Sequence, residues 1–506
     1  MFAQDNSRRW RRWTMAAVLT VVAIAAIPVG CVAVTYTRAP VSTIGGVDFT
    51  HRLAIPTLDT GTVDAEGVRV FGLEMRSGRT QFRPGTWTET WGFNGDHLGP
   101  TLRARRGERV RVEVDNRLGE TSSVHWHGMH LPAVMDGGPH QAIAAGGRWT
   151  PTWTVDQPAA TLWYHPHPHG TTESHVRRGL AGMFFLDDDT SDALSLPHAY
   201  GVDDVPVVVQ DVSLRGNRLD GTHRMFRDVG FLGEQILVNG TLAPFHEVGD
   251  ELVRLRLLNA STARRYDFGF SDDRDFALIG TDSGLLSRPA SLSRLALSPG
   301  ERAEIVVRMR PGERTVLRST PRTDGLDFWN RRFSGGDDGF DILELRAADA
   351  LRPSPELPAV LAPTTTPDGA AAVRERHFTL ELSGINGRAM DMGRIDFAVT
   401  RRTEEIWEVR NTDGMPHNFH VHDVRFAVLS VDGAPPPPAL SGPKDTVYVA
   451  PGRTVRLALR FDGPADPTTP YMYHCHLLWH EDTAMMGQFV VVEPGQDAAT
   501  HIPHGH

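Results

Sequence analysis

The sequence predicts an all-β protein, with three Greek-key β-sandwich domains behind an N-terminal apolar segment. Three observations carry this. Short runs with apolar residues at every second position recur after residue 50, among them Arg109-Val110-Arg111-Val112-Glu113-Val114, Arg254-Leu255-Arg256-Leu257-Leu258, Ala303-Glu304-Ile305-Val306-Val307 and Thr454-Val455-Arg456-Leu457-Ala458-Leu459. A period of two marks a strand with one face toward a core. The 49 glycines and 35 prolines supply turns between such strands. A turn leading into an alternating strand occurs at Gly107-Glu108-Arg109, Pro299-Gly300-Glu301-Arg302 and Pro451-Gly452-Arg453, which points to several copies of one domain.

Residues 1–45 form the N-terminal segment. Arg8, Arg9, Arg11 and Arg12 precede an apolar run of 21 residues from Thr14 to Val34. That is longer than a signal-peptide core of about 7–15 and suits a single membrane span of about 20. No small-x-small cleavage site closes the run, Ser7-Arg8-Arg9 fits a twin-arginine export signal, and Pro28-Val29-Gly30-Cys31 is a lipoprotein box with Pro in the place of the usual Leu. An uncleaved anchor, a cleaved signal and a lipid attachment therefore stay open. Each puts the rest of the chain outside the cytoplasm, in a periplasm or at a cell surface. The first domain is expected over 48–190 and the second over 200–348. A Pro/Ala/Thr-rich linker at 349–375, the third domain at 376–495 and a His-rich tail at 496–506 follow.

With 40% hydrophobic and 23% charged residues the composition is that of an ordinary globular protein. A net charge of −10 gives no sign of nucleic-acid binding. Only Cys31 and Cys475 are present, so no disulfide framework supports the fold.

The histidines carry the chemistry. The chain reads His125-Trp126-His127, His165-Pro166-His167, His417-Asn418-Phe419-His420-Val421-His422 and His474-Cys475-His476, followed by His480 and Met485. In a strand, H-x-H puts both imidazoles on one face about 6–7 Å apart, a spacing suited to ligands of neighbouring metals. Cys475 then faces the other way, and a Cys with two His and a weak axial Met is the ligand set of a blue-copper electron-transfer centre. The metal motifs lie only in the first and last domains, so the cluster they build is expected where those domains meet. The middle domain, without such motifs, reads as structural.

Together with Gly92-Phe93-Asn94-Gly95, Leu98-Gly99-Pro100, Val155-Asp156-Gln157-Pro158-Ala159-Ala160, Ile385-Asn386-Gly387 and Lys444-Asp445-Thr446-Val447, these motifs make nearly the whole chain after about residue 50 resemble the multicopper oxidases. These are the laccases, the bilirubin oxidases and, most closely, the bacterial periplasmic cuprous oxidases. The resemblance implies three cupredoxin-like domains and four copper ions. His417, Cys475 and His480 would hold the type 1 copper with Met485 as axial ligand, and His125 and His420 the type 2 copper. His127, His165, His167, His422, His474 and His476 would hold the type 3 pair. Cys475 would pass electrons through its flanking histidines to the centre that reduces O2. Asp136 and Glu481 stand where the family has proton-relay carboxylates, and Asp413 would lie near the type 1 site. The reductant is expected to be a phenolic or aromatic molecule or Cu(I). The methionine-rich insert common among the cuprous oxidases is missing, since no Met occurs between Arg310 and Ala389. A copper-storage protein and a non-catalytic scaffold of the cell envelope are the alternatives.

Overall fold

The computed structural model describes residues 10–15 and 30–502, apart from 224, 227, 324, 364, 365 and 484. Among these the strands form six sheets of five to seven strands and one two-stranded ribbon. The all-β class holds, and the large sheets fall in pairs along the chain. In the first pair, Arg69–Arg83 and Arg109–Asn116 lie in one sheet. His125–His127, Ala160–His165 and Gly182–Asp187 lie in the other. Phe71, Val112, Trp126, Leu162 and Phe184 fill the space between. The second pair packs Val207, Leu255, Phe268, Ile305 and Leu343, and the third Trp407, Phe419, Tyr473 and Phe489. Parallel neighbours such as Asp204–Val212 beside Leu252–Asn259 require crossovers between strands rather than hairpins alone.

Two details depart from the alternating pattern. His51–Arg52, expected in the first domain, pairs in parallel with Pro244–Phe245 in the second. Every residue of the strand Leu252–Asn259 is buried, including Arg254 and Arg256. Arg256 forms a two-pronged pair with Asp204, and Glu304 accepts hydrogen bonds from Arg254, Arg256 and Thr161. The polar face thus lies against the first unit, where opposite charges replace water.

Residues 16–29 of the apolar run lie outside the described residues, as do His504 and His506 of the tail. Among the described residues no helix is long and apolar enough to cross a membrane. Residues 30–38 are helical, and the chain beyond is tied to the second unit, with Val41 N donating to Asp338 Oδ1 and Gly45 N to Asp341 Oδ2, both at 2.7 Å.

Candidate metal centre

Strand register brings the histidine motifs together. His125–His127 pairs antiparallel with the end of Ala160–His165, placing His165 opposite His125. His417–Val421 pairs with Asp466–His474, placing His420 opposite His474. The rings within each H-x-H motif are 5.0 to 6.1 Å apart, as same-face neighbours should be. Rings from the two ends of the chain interleave, His125 stacking on His422 at 3.9 Å and His127 on His420 at 3.8 Å. All ten motif histidines and Cys475 are buried.

The hydrogen bonds fix which nitrogens carry protons, because carbonyl and carboxylate oxygens only accept. His474 Nδ1 donates to the Cys475 carbonyl at 3.2 Å, and His422 Nδ1 lies 2.7 Å from Asp136 Oδ2, to which it donates when that carboxyl is ionised. Their Nε2 atoms are therefore bare lone pairs, yet they face each other at 3.1 Å, with His167 Nε2 3.2 Å from that of His474. The second triad repeats this. His165 Nδ1 donates to the Pro166 carbonyl and His127 Nε2 to Asp445 Oδ1, while His165 Nε2 lies 3.4 Å from both His127 Nδ1 and His476 Nε2. His125 and His420 donate through Nδ1 to the carbonyls of Asp136 and Asp445, and their buried Nε2 atoms have no hydrogen-bond partner. At the third place, His417 Nε2 donates to Asp413 and His480 Nε2 to the Asp228 carbonyl. Their bare Nδ1 atoms lie 3.1 Å apart and 3.7 and 3.6 Å from Cys475 Sγ.

Lone pairs converging without a proton between them repel unless a cation lies among them. With metal–nitrogen bonds of about 2.0–2.1 Å, ligand nitrogens at these spacings subtend angles of roughly 100–115° at the ion. The donor set fits copper: imidazoles throughout, and one thiolate with two imidazoles. Charge agrees. Burial pulls His125 down to about 4 and His476 and His480 to about 3, and holds His127, His165, His167, His420, His422 and His474 well below their usual value, so these are neutral ligands. Burial also pushes the Cys475 thiol up to about 12, so a thiolate here needs a cation to form.

Met485 is buried, and its backbone clamps the loop, its carbonyl accepting from Cys475 N at 3.1 Å and its N–H donating to the His480 carbonyl at 2.9 Å. The Glu481 carboxylate lies 3.4 Å from His167 Nδ1 and 3.3 Å from His474 Nδ1, and neither of its oxygens has a hydrogen bond. Burial raises both Asp136 and Glu481 well above the usual carboxylate range.

Three contributors had no role in the sequence reading. Asp445 accepts from His127 on its carboxylate and from His420 on its carbonyl, and Arg302 grips that carboxylate with two hydrogen bonds at 2.7 and 2.6 Å. Asn418 Oδ1 accepts from His476 N and lies 3.6 Å from Cys475 Sγ, while its amide donates to the Pro299 carbonyl. Arg302, Pro299 and Asp228 belong to the middle unit, which thus supports both sites without a motif of its own. In the sequence Asp445 appeared only within Lys444-Asp445-Thr446-Val447, just ahead of the strand Thr446–Val449.

The fold and donor set are those of cupredoxin-like β-sandwiches with two neighbouring places that could hold metal, one offering a cysteine with two imidazoles and one offering imidazoles. The chain belongs to the multicopper oxidase family. Two family models described as multicopper oxidase match residues 74–191 and 352–495. Similar proteins include a multicopper oxidase of Staphylococcus haemolyticus, 33% identical over 87% of this chain and 92% of that one. The cell division protein FtsP of Escherichia coli is 37% identical over 81% and 87%. Among solved structures, a multi-copper oxidase from Pediococcus acidilactici superposes with a TM-score of 0.80 at 33% identity, covering 89% of this chain and 93% of that one. A laccase-like CueO from Ochrobactrum sp. gives 0.79 at 35%, covering 87% and 100%.

Proposed function

We propose that this chain is a four-copper oxidase that takes single electrons from a reductant at the Cys475 site and delivers them to O2 at the histidine cluster. The observation that carries this is the convergence of bare nitrogen lone pairs at both places. His417, Cys475, His480 and Met485 would hold the type 1 ion. His125 and His420 would hold the type 2 ion. The type 3 ions would be held by His127, His165 and His476 and by His167, His422 and His474. Bound copper supplies the redox chemistry, accepting electrons at the first site and reducing O2 to two waters at the cluster. Cys475 links the sites covalently, because His474 and His476 belong to different triads. Asp413 and the Asp228 carbonyl orient His417 and His480, and Asp445 fixes His127 in the form whose Nδ1 is free. Asp136 and Glu481, which touch cluster histidines, are placed to hand over the four protons that O2 reduction consumes. The reductant is an aromatic molecule or a metal ion such as Cu(I), and the chain acts outside the cytoplasm, anchored or exported by its N-terminal segment.

The likeness to a cell division protein raises a second reading, a scaffold without turnover. Against it, all twelve ligand positions are filled. A storage protein would have no use for the covalent link between the sites. Copper-loaded protein should be blue and consume O2 with a phenolic dye, Cu(I) or Fe(II), and Cys475→Ser should remove both colour and turnover. A copper-replete, colourless wild type would sink the oxidase reading.

A further inference from the structure

The outer nitrogens of the type 1 histidines are capped by the Asp228 carbonyl and Asp413, and around those caps several large apolar side chains are exposed. Leu382, whose N–H donates to Asp413, is 42% exposed. Phe328, 71% exposed, opens a short helix, Phe328–Phe333, whose Asn330 donates to the Gly414 carbonyl. Met225, 68% exposed, lies on the segment that supplies Asp228. Trp479, 38% exposed, precedes His480 and packs on the His223 ring at 4.4 Å. Large apolar side chains from separate segments are thus exposed around the elements that cap the type 1 histidines, the kind of surface that marks an interaction site when its residues adjoin.

The N-terminal chain says by what. Tyr36, at the end of the exposed helix 30–38, stacks on Trp329 at 5.8 Å, meets Phe328 and Phe333 at 6.3 and 6.0 Å, and carries the Arg332 guanidinium over its ring at 4.6 Å. Phe226, two residues before Asp228, meets Trp329 and Phe333 at 5.3 Å each. The bonds from Val41 and Gly45 to the second unit keep this exit in place. The apolar run Thr14–Val34 is long enough for a bilayer core of about 30 Å, and it ends two residues before Tyr36. Aromatic side chains at such an exit match the aromatic belt of a membrane–water interface. The bilayer entered by this run would therefore lie against the corner that receives electrons.

We propose that the type 1 corner docks on the outer surface of the lipid bilayer through Phe328, Met225 and Leu382, and draws its reductant, a lipophilic hydroquinone, from that bilayer. This rests on the oxidase reading above. Each hydroquinone gives two electrons and two protons and leaves as the quinone, so two of them turn one O2 into two waters.

The test uses the full copper-loaded chain in vesicles of phosphatidylethanolamine and phosphatidylglycerol. A polarity-sensitive fluorophore on Phe328→Cys, in a Cys31→Ser background, should shift to the blue on reconstitution, while the same label on Val63→Cys, in the first unit, should not. Phe328→Asp/Met225→Ser should lower oxidation of vesicle-dissolved decylhydroquinone about fivefold or more, and that of water-soluble hydroquinone less than twofold, with the blue absorption unchanged. No label shift, or an equal change with both reductants, overturns the docking. If wild type oxidises neither reductant, the oxidase reading falls instead, and the label still decides whether this corner meets lipid.

Discussion

Asp445 joins two cluster histidines to the middle unit, and a pair of substitutions separates what its charge does from what its oxygens do. It is wholly buried. Oδ1 accepts from Arg302 and from His127 Nε2 at 3.0 Å, and Oδ2 from Arg302 and from Ser283 at 3.1 Å. Asp445→Asn keeps the shape but leaves a buried guanidinium without its partner, a loss of about 3–5 kcal/mol for such pairs. Asp282, whose carbonyl also accepts from Arg302 at 2.7 Å, puts the expected cost near the lower figure, about 3 kcal/mol. The new amide turns its NH2 to the Oδ2 side, where only Arg302 and Ser283 are opposed, so an oxygen still faces His127. Asp445→Ala removes that oxygen as well and leaves His127 Nε2 only the Thr446 hydroxyl at 3.2 Å, so the proton is held less firmly away from Nδ1. Both variants should unfold at lower temperature. Only the alanine variant should lose copper from the cluster, with affinity down about 10–100-fold as for other partners of metal-bound histidine. Copper content per chain, the blue absorption and thermal unfolding measure this, and the blue band serves as an internal control because Asp445 touches none of the type 1 ligands. An alanine variant with its full copper complement would refute the tautomer argument. An asparagine variant that loses copper as completely would show that charge, not the acceptor, holds the site.

Other outcomes follow from the same geometry. Asp136→Ala should slow O2 reduction by about 10²-fold, at the lower end for a lost proton donor, with the blue band intact; loss of the band would show that Asp136 acts through the fold. Gly300 has a φ of +85°, and a Cβ there would lie 3.1 Å from His476 and 3.2 Å from His127. Gly300→Ala should therefore lower cluster copper while sparing the blue absorption, which metal analysis beside a visible spectrum will read. Burial works to raise the Glu304 pKa, but Arg254, Arg256 and the Thr161 hydroxyl outweigh it and hold the carboxyl at about 2 against a usual 4.5. Its ion pairs therefore stabilise the fold above pH 4.5 and are lost as the pH falls toward 2. The destabilisation caused by Glu304→Gln should be greatest above pH 4.5 and vanish near pH 2, and a pH-independent difference in denaturant titrations would contradict the assignment.

The donor residues were legible in the sequence because H-x-H fixes a face and a spacing whatever the surroundings. Their supports were not. Nothing local distinguishes Asp445 from an ordinary charge at the start of a strand, since its partner Arg302 is 143 residues away. Arg254 and Arg256 read as the wet side of a half-exposed strand, and alternation was right about the two faces. What it could not say is that a second unit covers the polar one. Asp228 contributes only a carbonyl, which any residue carries, so no side-chain pattern could have marked it.

The interleaving of His125, His127, His165 and His167 with rings from the far end of the chain has a consequence in time. His167 and its neighbour His474 are separated by 307 residues, which a ribosome working at about 5–20 residues per second adds in roughly 15–60 s. Throughout that interval the first unit presents four imidazoles with no counterpart, a chelating half-site open to whichever imidazole-binding ion arrives first. Correct metal selection therefore belongs to the finished chain. A cell that makes this protein gains by keeping the growing polypeptide away from competing zinc or nickel until its last hundred residues have folded.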